Sequence, residues 1–142
     1  MPSLELFNRQ RKKRVDLVGF RAFAKPVMAK VAELPSSLTL PEEITVVFVS
    51  DARISRIHHE FMSVDGPTDV ITFRHGEIVI SVETAERQAK EYSTSFDREL
   101  RLYFVHGLLH LVGWEDKTDQ GFKRMADSQE RIVAEVERAG CR

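Results

Sequence analysis

His106 and His110 stand four residues apart in the stretch His106-Gly107-Leu108-Leu109-His110-Leu111-Val112-Gly113-Trp114-Glu115-Asp116. On a helix they lie one turn apart on the same face, so their imidazoles can converge on one ion. Gly113 can take a left-handed conformation and stop that helix. The chain then folds back, and Asp116 is placed to present a third group. Two neutral imidazole nitrogens and a carboxylate oxygen suit Zn²⁺ and leave a fourth position for water, as catalytic zinc sites do. The competing reading is a structural pair of histidines joined by a hydrogen bond. The context favours metal, because two imidazoles in so apolar a helix are costly to leave unpaired. A His-Glu-x-x-His peptidase is disfavoured: Gly107 stands where that motif carries its general base.

The elements that must position these groups follow from the hydrophobic pattern. Phe96 to Val112 is apolar around most of its circumference, as expected of a helix in the middle of a domain. Leu4–Phe7, Ile44–Val49, Val70–Phe73 and Glu77–Val82 read as strands. Helices are predicted over Phe20–Leu34 (with Pro26 marking a weakness or kink), after Ser50 or Asp51 with Ile54, Ile57, His58 and Phe61 on one face, and over Glu83–Tyr92. The last runs from about Thr118 to Ala139, with Phe122, Met125, Ile132, Val133 and Val136 as its buried stripe. The predicted fold is α/β: one domain, residues 1–142, with a small mixed sheet packed by helices and the metal site on the central apolar helix.

Composition narrows the function classes. The chain has 142 residues, 42% hydrophobic and 30% charged, with a formal charge of −1. That balance excludes a strongly basic nucleic-acid packager but not a local basic patch. One such patch is Arg9-Gln10-Arg11-Lys12-Lys13-Arg14, five cations in six residues. The single cysteine, Cys141, allows neither an intrachain disulfide nor a thiolate cage, and reads as an incidental thiol. The first residues show no signal-peptide pattern and no apolar run is long enough to cross a bilayer, so the expected location is the cytoplasm, away from membranes.

Three segments together carry a family resemblance. His106 to Gly113 matches the H-G-x-L-H-L-x-G signature of the YbeY family, bacterial endoribonucleases and rRNA maturation factors. Pro67-Thr68-Asp69-Val70-Ile71-Thr72-Phe73 resembles that family's P-T-D-V-L-S-F segment, and Gly76-Glu77-Ile78-Val79-Ile80-Ser81 its G-D-I-V-I-S strand. They occur in the family's order within residues 44–136. The resemblance implies a metal held by three side chains, single-stranded RNA as substrate, and a role in maturing the 3′ end of small-subunit rRNA and in ribosome quality control. Ribosomal proteins are then possible partners.

Two positions depart from the family pattern. The family continues G-Y-D-H and uses that His as its third ligand, whereas Asp116 stands there in this chain. The family carries L-N-x-x-Y-R before its P-T-D-V segment, whereas His58 and Met62 stand at the Asn and Arg positions. A thioether cannot replace a guanidinium at a phosphate, so Arg74 is the candidate substitute. Arg11, Lys12, Lys13 and Arg14 are candidate RNA-backbone contacts, against a merely solvated basic loop. Glu115 and Asp69 are candidates for the general base by residue type only. Thr68 and Asp69 also read as turn and cap residues. His75 reads as a surface loop residue. Trp114 reads either as a base-stacking platform or as packing.

The leading expectation is a Zn²⁺-dependent endoribonuclease with His106, His110 and Asp116 as ligands. The alternative is a ribosome-assembly factor of the same fold, binding RNA or protein, with weak or no nuclease activity. A small metallohydrolase with a non-RNA substrate is a third and lesser reading.

Overall fold

The computed structural model describes residues 2–140. Cys141 lies outside them. Nine elements follow the predicted order: β1 (Ser3–Asn8), α1 (Leu17–Ala32), β2 (Glu43–Val49), α2 (Asp51–Met62), β3 (Val70–Phe73), β4 (Glu77–Ser81), α3 (Val82–Glu91), α4 (Phe96–Leu111) and α5 (Asp119–Arg138). The sheet order is β1-β2-β4-β3. β1, β2 and β4 run parallel, and β3 pairs antiparallel with β4. The sheet is therefore mixed, and β3 forms one of its edges.

Strand alternation divides the apolar residues between two faces. Ile44, Val46, Phe48, Ile78 and Ile80 join the main core with residues of α1, α4 and α5. Val49, Ile71 and Val79 form a smaller cluster with Ile54 of α2. The main core is tied by aromatic edges: Phe20 of α1 stands 5.2 Å from Phe48 of β2 and 5.2 Å from Phe104 of α4, ring centre to ring centre. α4 is buried along almost its whole length, as its composition requires.

Several expectations are corrected. α1 starts at Leu17, because Asp16 caps it by accepting from the Gly19 amide. It runs through Pro26, since Phe23, Val27, Met28 and Val31 are buried on both sides of the proline and hold the helix down. β4 ends at Ser81, whose hydroxyl caps α3, so Val82 belongs to the helix. Phe61 is 62% exposed and Phe122 is 63% exposed, so neither is a core residue. Helical spacing marked the stripe correctly at Met125, Ile132, Val133 and Val136, but the first turn of α5 projects past the body it packs on.

Two close approaches position the site. A Cβ on Gly107 would meet Thr72 Oγ1 at 3.0 Å and Ile78 Cδ1 at 3.0 Å, so the glycine lets α4 settle directly on β3 and β4. A glutamate there would be driven into the sheet. The second is a reciprocal clasp between the N-termini of α2 and α3. Asp51 accepts from Ser81 Oγ at 2.6 Å and Thr84 Oγ1 at 2.7 Å and pairs with Arg87, while its own amide donates to Glu83 Oε1 at 2.9 Å. Burial alone would raise the Asp51 carboxyl, but the bonds from Arg87, Ser81 and Thr84 outweigh it and hold the group below its ordinary value.

Gly107→Val should lower folding stability by about 1–3 kcal/mol through overpacking, read as a fall in the urea midpoint at unchanged slope. Asp51→Asn should cost about 1 kcal/mol near neutral pH. A depressed carboxyl contributes stability above the ordinary carboxylate range and loses it as pH falls through the folded value. Urea unfolding at a series of pH values should therefore show wild type and Asp51→Asn converging in acid and separating near neutrality.

Candidate metal centre

The side chains of His106, His110 and Asp116 meet where α4 ends beside the β3 edge. Their ligand atoms all lie within 4.8 Å of one another. His106 Nε2 is 3.0 Å from His110 Nε2, and Asp116 Oδ2 is 3.6 Å from the first and 3.8 Å from the second. Donors bound tetrahedrally at about 2.0–2.2 Å stand roughly 3.3–3.6 Å apart. The three groups therefore already match the span of one small ion.

Hydrogen bonds fix which nitrogen of each ring faces that ion. His110 Nδ1 is 3.0 Å from the Trp114 carbonyl oxygen, and His106 Nδ1 is 3.0 Å from Gln129 Oε1. Both partners accept, so both Nδ1 atoms carry the proton, and the neutral rings present bare Nε2 lone pairs. Two lone pairs aimed at each other across 3.0 Å, with a carboxylate oxygen beside them, repel unless a cation lies among them. Burial, then the neighbouring His106, push the His110 imidazole below its ordinary value, which keeps it in the neutral ligand form near pH 7. The donor set thus fits a divalent metal of the zinc type; two nitrogens and one oxygen also admit harder ions.

The third ligand is held by its loop. Gly113 has φ +98°, where a side chain would be strained, and it turns the chain out of α4. The Trp114 amide donates to the Leu109 carbonyl at 3.0 Å, and its indole Nε1 donates to the Pro35 carbonyl at 3.2 Å. Arg124 lies 4.0 Å over the indole ring. One face of the indole is covered in this way, while Trp114 also lines the cleft beside the imidazoles. A Cβ on Gly121 would meet the Glu115 carbonyl oxygen at 2.5 Å, so the first turn of α5 accepts the loop only because that residue is glycine.

The imidazoles open into a cleft of about 330 Å³ lined also by Thr72, Arg74, Trp114, Glu115 and Met62. Arg74 therefore shares the cleft with Met62, where the resemblance called for a guanidinium. Glu115 lies in the same cleft. Asp69 does not: it lines a second cavity beyond His106 and Asp116, and its Oδ1 accepts from the Val70 amide at 2.8 Å. The basic turn is not brought to the cleft. It follows β1, the sheet edge opposite β3. There Lys13 pairs with Glu86 at 2.9 Å and lies 5.0 Å over the Phe96 ring, while Arg11, Lys12 and Arg14 are exposed. His75 is exposed on the turn after β3. Sequence reasoning missed Gln129, which orients His106. It lies on α5, and only the packing of α4 against α5 reveals it. Arg98 and the buried Arg101 hold that packing through Glu137, at 3.1 and 2.7 Å.

The fold and site together define an α/β protein with a His/His/carboxylate group beside the free edge of its sheet. Residues 5–137 match the family model described as Endoribonuclease YbeY. The chain is similar to "Endoribonuclease YbeY" of Heliobacterium modesticaldum, 38% identical over 112 residues, covering 64% of this chain and 68% of that protein. It is 32% identical over 133 residues to "Endoribonuclease YbeY" of Bacillus cereus strain B4264, covering 80% and 85%. Its fold resembles the solution structure of TM1509 from Thermotoga maritima, with a TM-score of 0.67 and 26% identity over 94% of this chain and 88% of that one. This chain belongs to the YbeY family.

Metal analysis of the purified protein should find about one transition metal per chain, lost in the His106→Ala, His110→Ala double variant. Gln129→Leu should weaken zinc affinity by about ten- to a hundredfold, the usual cost of removing an outer partner of a ligand histidine. Asp116→Ala should lose zinc to a chelator faster than wild type, and Asp116→His more slowly.

Proposed function

We propose that the protein is a metal-dependent endoribonuclease acting on single-stranded RNA, and that its substrate is the 3′ region of small-subunit rRNA during maturation and quality control of the ribosome. The observation that carries the reading is the convergence of three lone-pair donors on the wall of a cleft that also holds a guanidinium. In this reading residues 1–142 act as one domain in the cytoplasm, in contact with rRNA and with ribosomal proteins. Among the described residues no helix is long and apolar enough to cross a membrane.

When bound, a zinc-type ion supplies Lewis-acid chemistry for phosphodiester hydrolysis. The chain's own groups do the rest. His106, His110 and Asp116 hold the ion, the two histidines with their outer hydrogen bonds already made, so little reorganisation of the rings accompanies its arrival. Arg74 binds a phosphate oxygen and balances charge that develops on it. Glu115, which lines the same cleft, takes a proton from the attacking water in this reading. The exposed cations Arg11, Lys12 and Arg14 attract the RNA backbone at a distance from the cleft.

A ribosome-assembly factor with little nuclease activity is the second reading, favoured by Met62. Its uncharged thioether occupies part of the cleft wall.

Purified protein should cut a single-stranded RNA, and a chelator should stop it. Arg74→Ala should reduce kcat/KM by about 10²-fold with zinc content unchanged. Binding of RNA without chelator-sensitive cleavage would instead establish the assembly-factor reading. Replacing Arg11, Lys12 and Arg14 together by Gln should flatten the slope of log affinity against log salt by about 2; an unchanged slope would make the basic turn a solvated surface.

A further inference from the structure

We infer that the second cavity, on the far side of His106 and Asp116 from the catalytic cleft, is a subsite that takes one nucleobase of the RNA. The inference rests on the RNA reading above and deepens it. The cavity has a volume of about 330 Å³, ample for a single base, and shares His106 with the first cleft. The metal ligands therefore form a ridge between two hollows. An RNA strand crossing that ridge with a phosphate at the ligands must place the nucleotides on either side of it into these two hollows.

The walls of the second hollow suit a base. Tyr92 is 64% exposed and Phe122 is 63% exposed, two large rings left in solvent at its mouth. Neither is used by the core or by the metal ligands. Aromatic faces that bear on one cavity are stacking platforms for an unpaired base, and such stacking tolerates any base.

Polar groups of the same hollow can bond the edge of the stacked base. The amide oxygen of Gln88 accepts from the Tyr103 hydroxyl at 2.8 Å, and that of Gln129 is held by His106 Nδ1 at 3.0 Å. With both oxygens committed, each amide has its NH2 group left to donate. Asp69 uses Oδ1 on the Thr68 hydroxyl and the Val70 amide and keeps Oδ2 as an acceptor. The hollow thus offers amide donors beside the carboxylates of Asp69, Glu99 and Asp116, so it can bond both the donors and the acceptors on the edge of a stacked base. This also gives Asp69 a task the first cleft does not.

The test uses zinc-loaded full-length protein and a short single-stranded oligoribonucleotide, 2′-O-methylated so that it stays intact, with one abasic position moved along it. Wild type should lose about tenfold in affinity when the abasic site reaches one particular position. The Tyr92→Ala, Phe122→Ala variant should bind the intact strand about tenfold more weakly and be indifferent to the abasic site, with zinc content and unfolding midpoint unchanged. A variant that binds the intact strand as wild type does would overturn the subsite while leaving the nuclease reading in place. Failure of wild type to bind any RNA would overturn the subsite and the RNA reading together.

Discussion

The site depends on one electrostatic constraint: two histidine nitrogens, both bare, face each other at 3.0 Å beside a carboxylate. The protons that would relieve the contact are committed elsewhere, to the Trp114 carbonyl and to Gln129. Outer hydrogen bonds spent in this way leave facing lone pairs whose repulsion a cation would relieve. Much of the surrounding architecture serves that contact. α4 must lie close on the sheet, which Gly107 permits. α5 must lie close on α4, which the Arg98, Arg101 and Glu137 group secures. The loop after α4 must turn back, which Gly113 and Gly121 allow.

The same contacts separate folding from function. Phe20, Phe48 and Phe104 and the aliphatic residues around them stabilise the sheet–helix body without touching the site. The edge strand β3, the end of α4 and the loop at residues 113–118 present the His106, His110 and Asp116 cluster on that body, so substitutions on the loop can change the cluster while leaving the core intact.

The element order and the convergence of His106, His110 and Asp116 were legible because their signals are local. Alternation marked the strands, the unbroken apolar run of α4 marked the centre, and i, i+4 spacing with a following glycine marked the cluster. What could not be read depends on packing between distant segments. Gln129 lies 23 residues from the histidine it orients. Phe122 fits the periodic stripe of α5, yet the helix overhangs the core at its first turn, so the ring faces solvent. Asp69 and Glu115 are equivalent by residue type, and only the division of space by the ligand ridge puts them in different hollows. Composition marked the basic turn but not its distance from the cleft, because strand order sets it at the opposite edge of the sheet.

The central claim is that the facing nitrogens and the carboxylate hold one ion. Anomalous diffraction from zinc-loaded crystals, collected on either side of the zinc absorption edge, tests it most directly. The account predicts one anomalous peak per chain, about 2.0–2.2 Å from His106 Nε2, His110 Nε2 and an Asp116 carboxylate oxygen. A zinc-loaded crystal with no peak there, and with the two imidazoles hydrogen-bonded to each other, would contradict it.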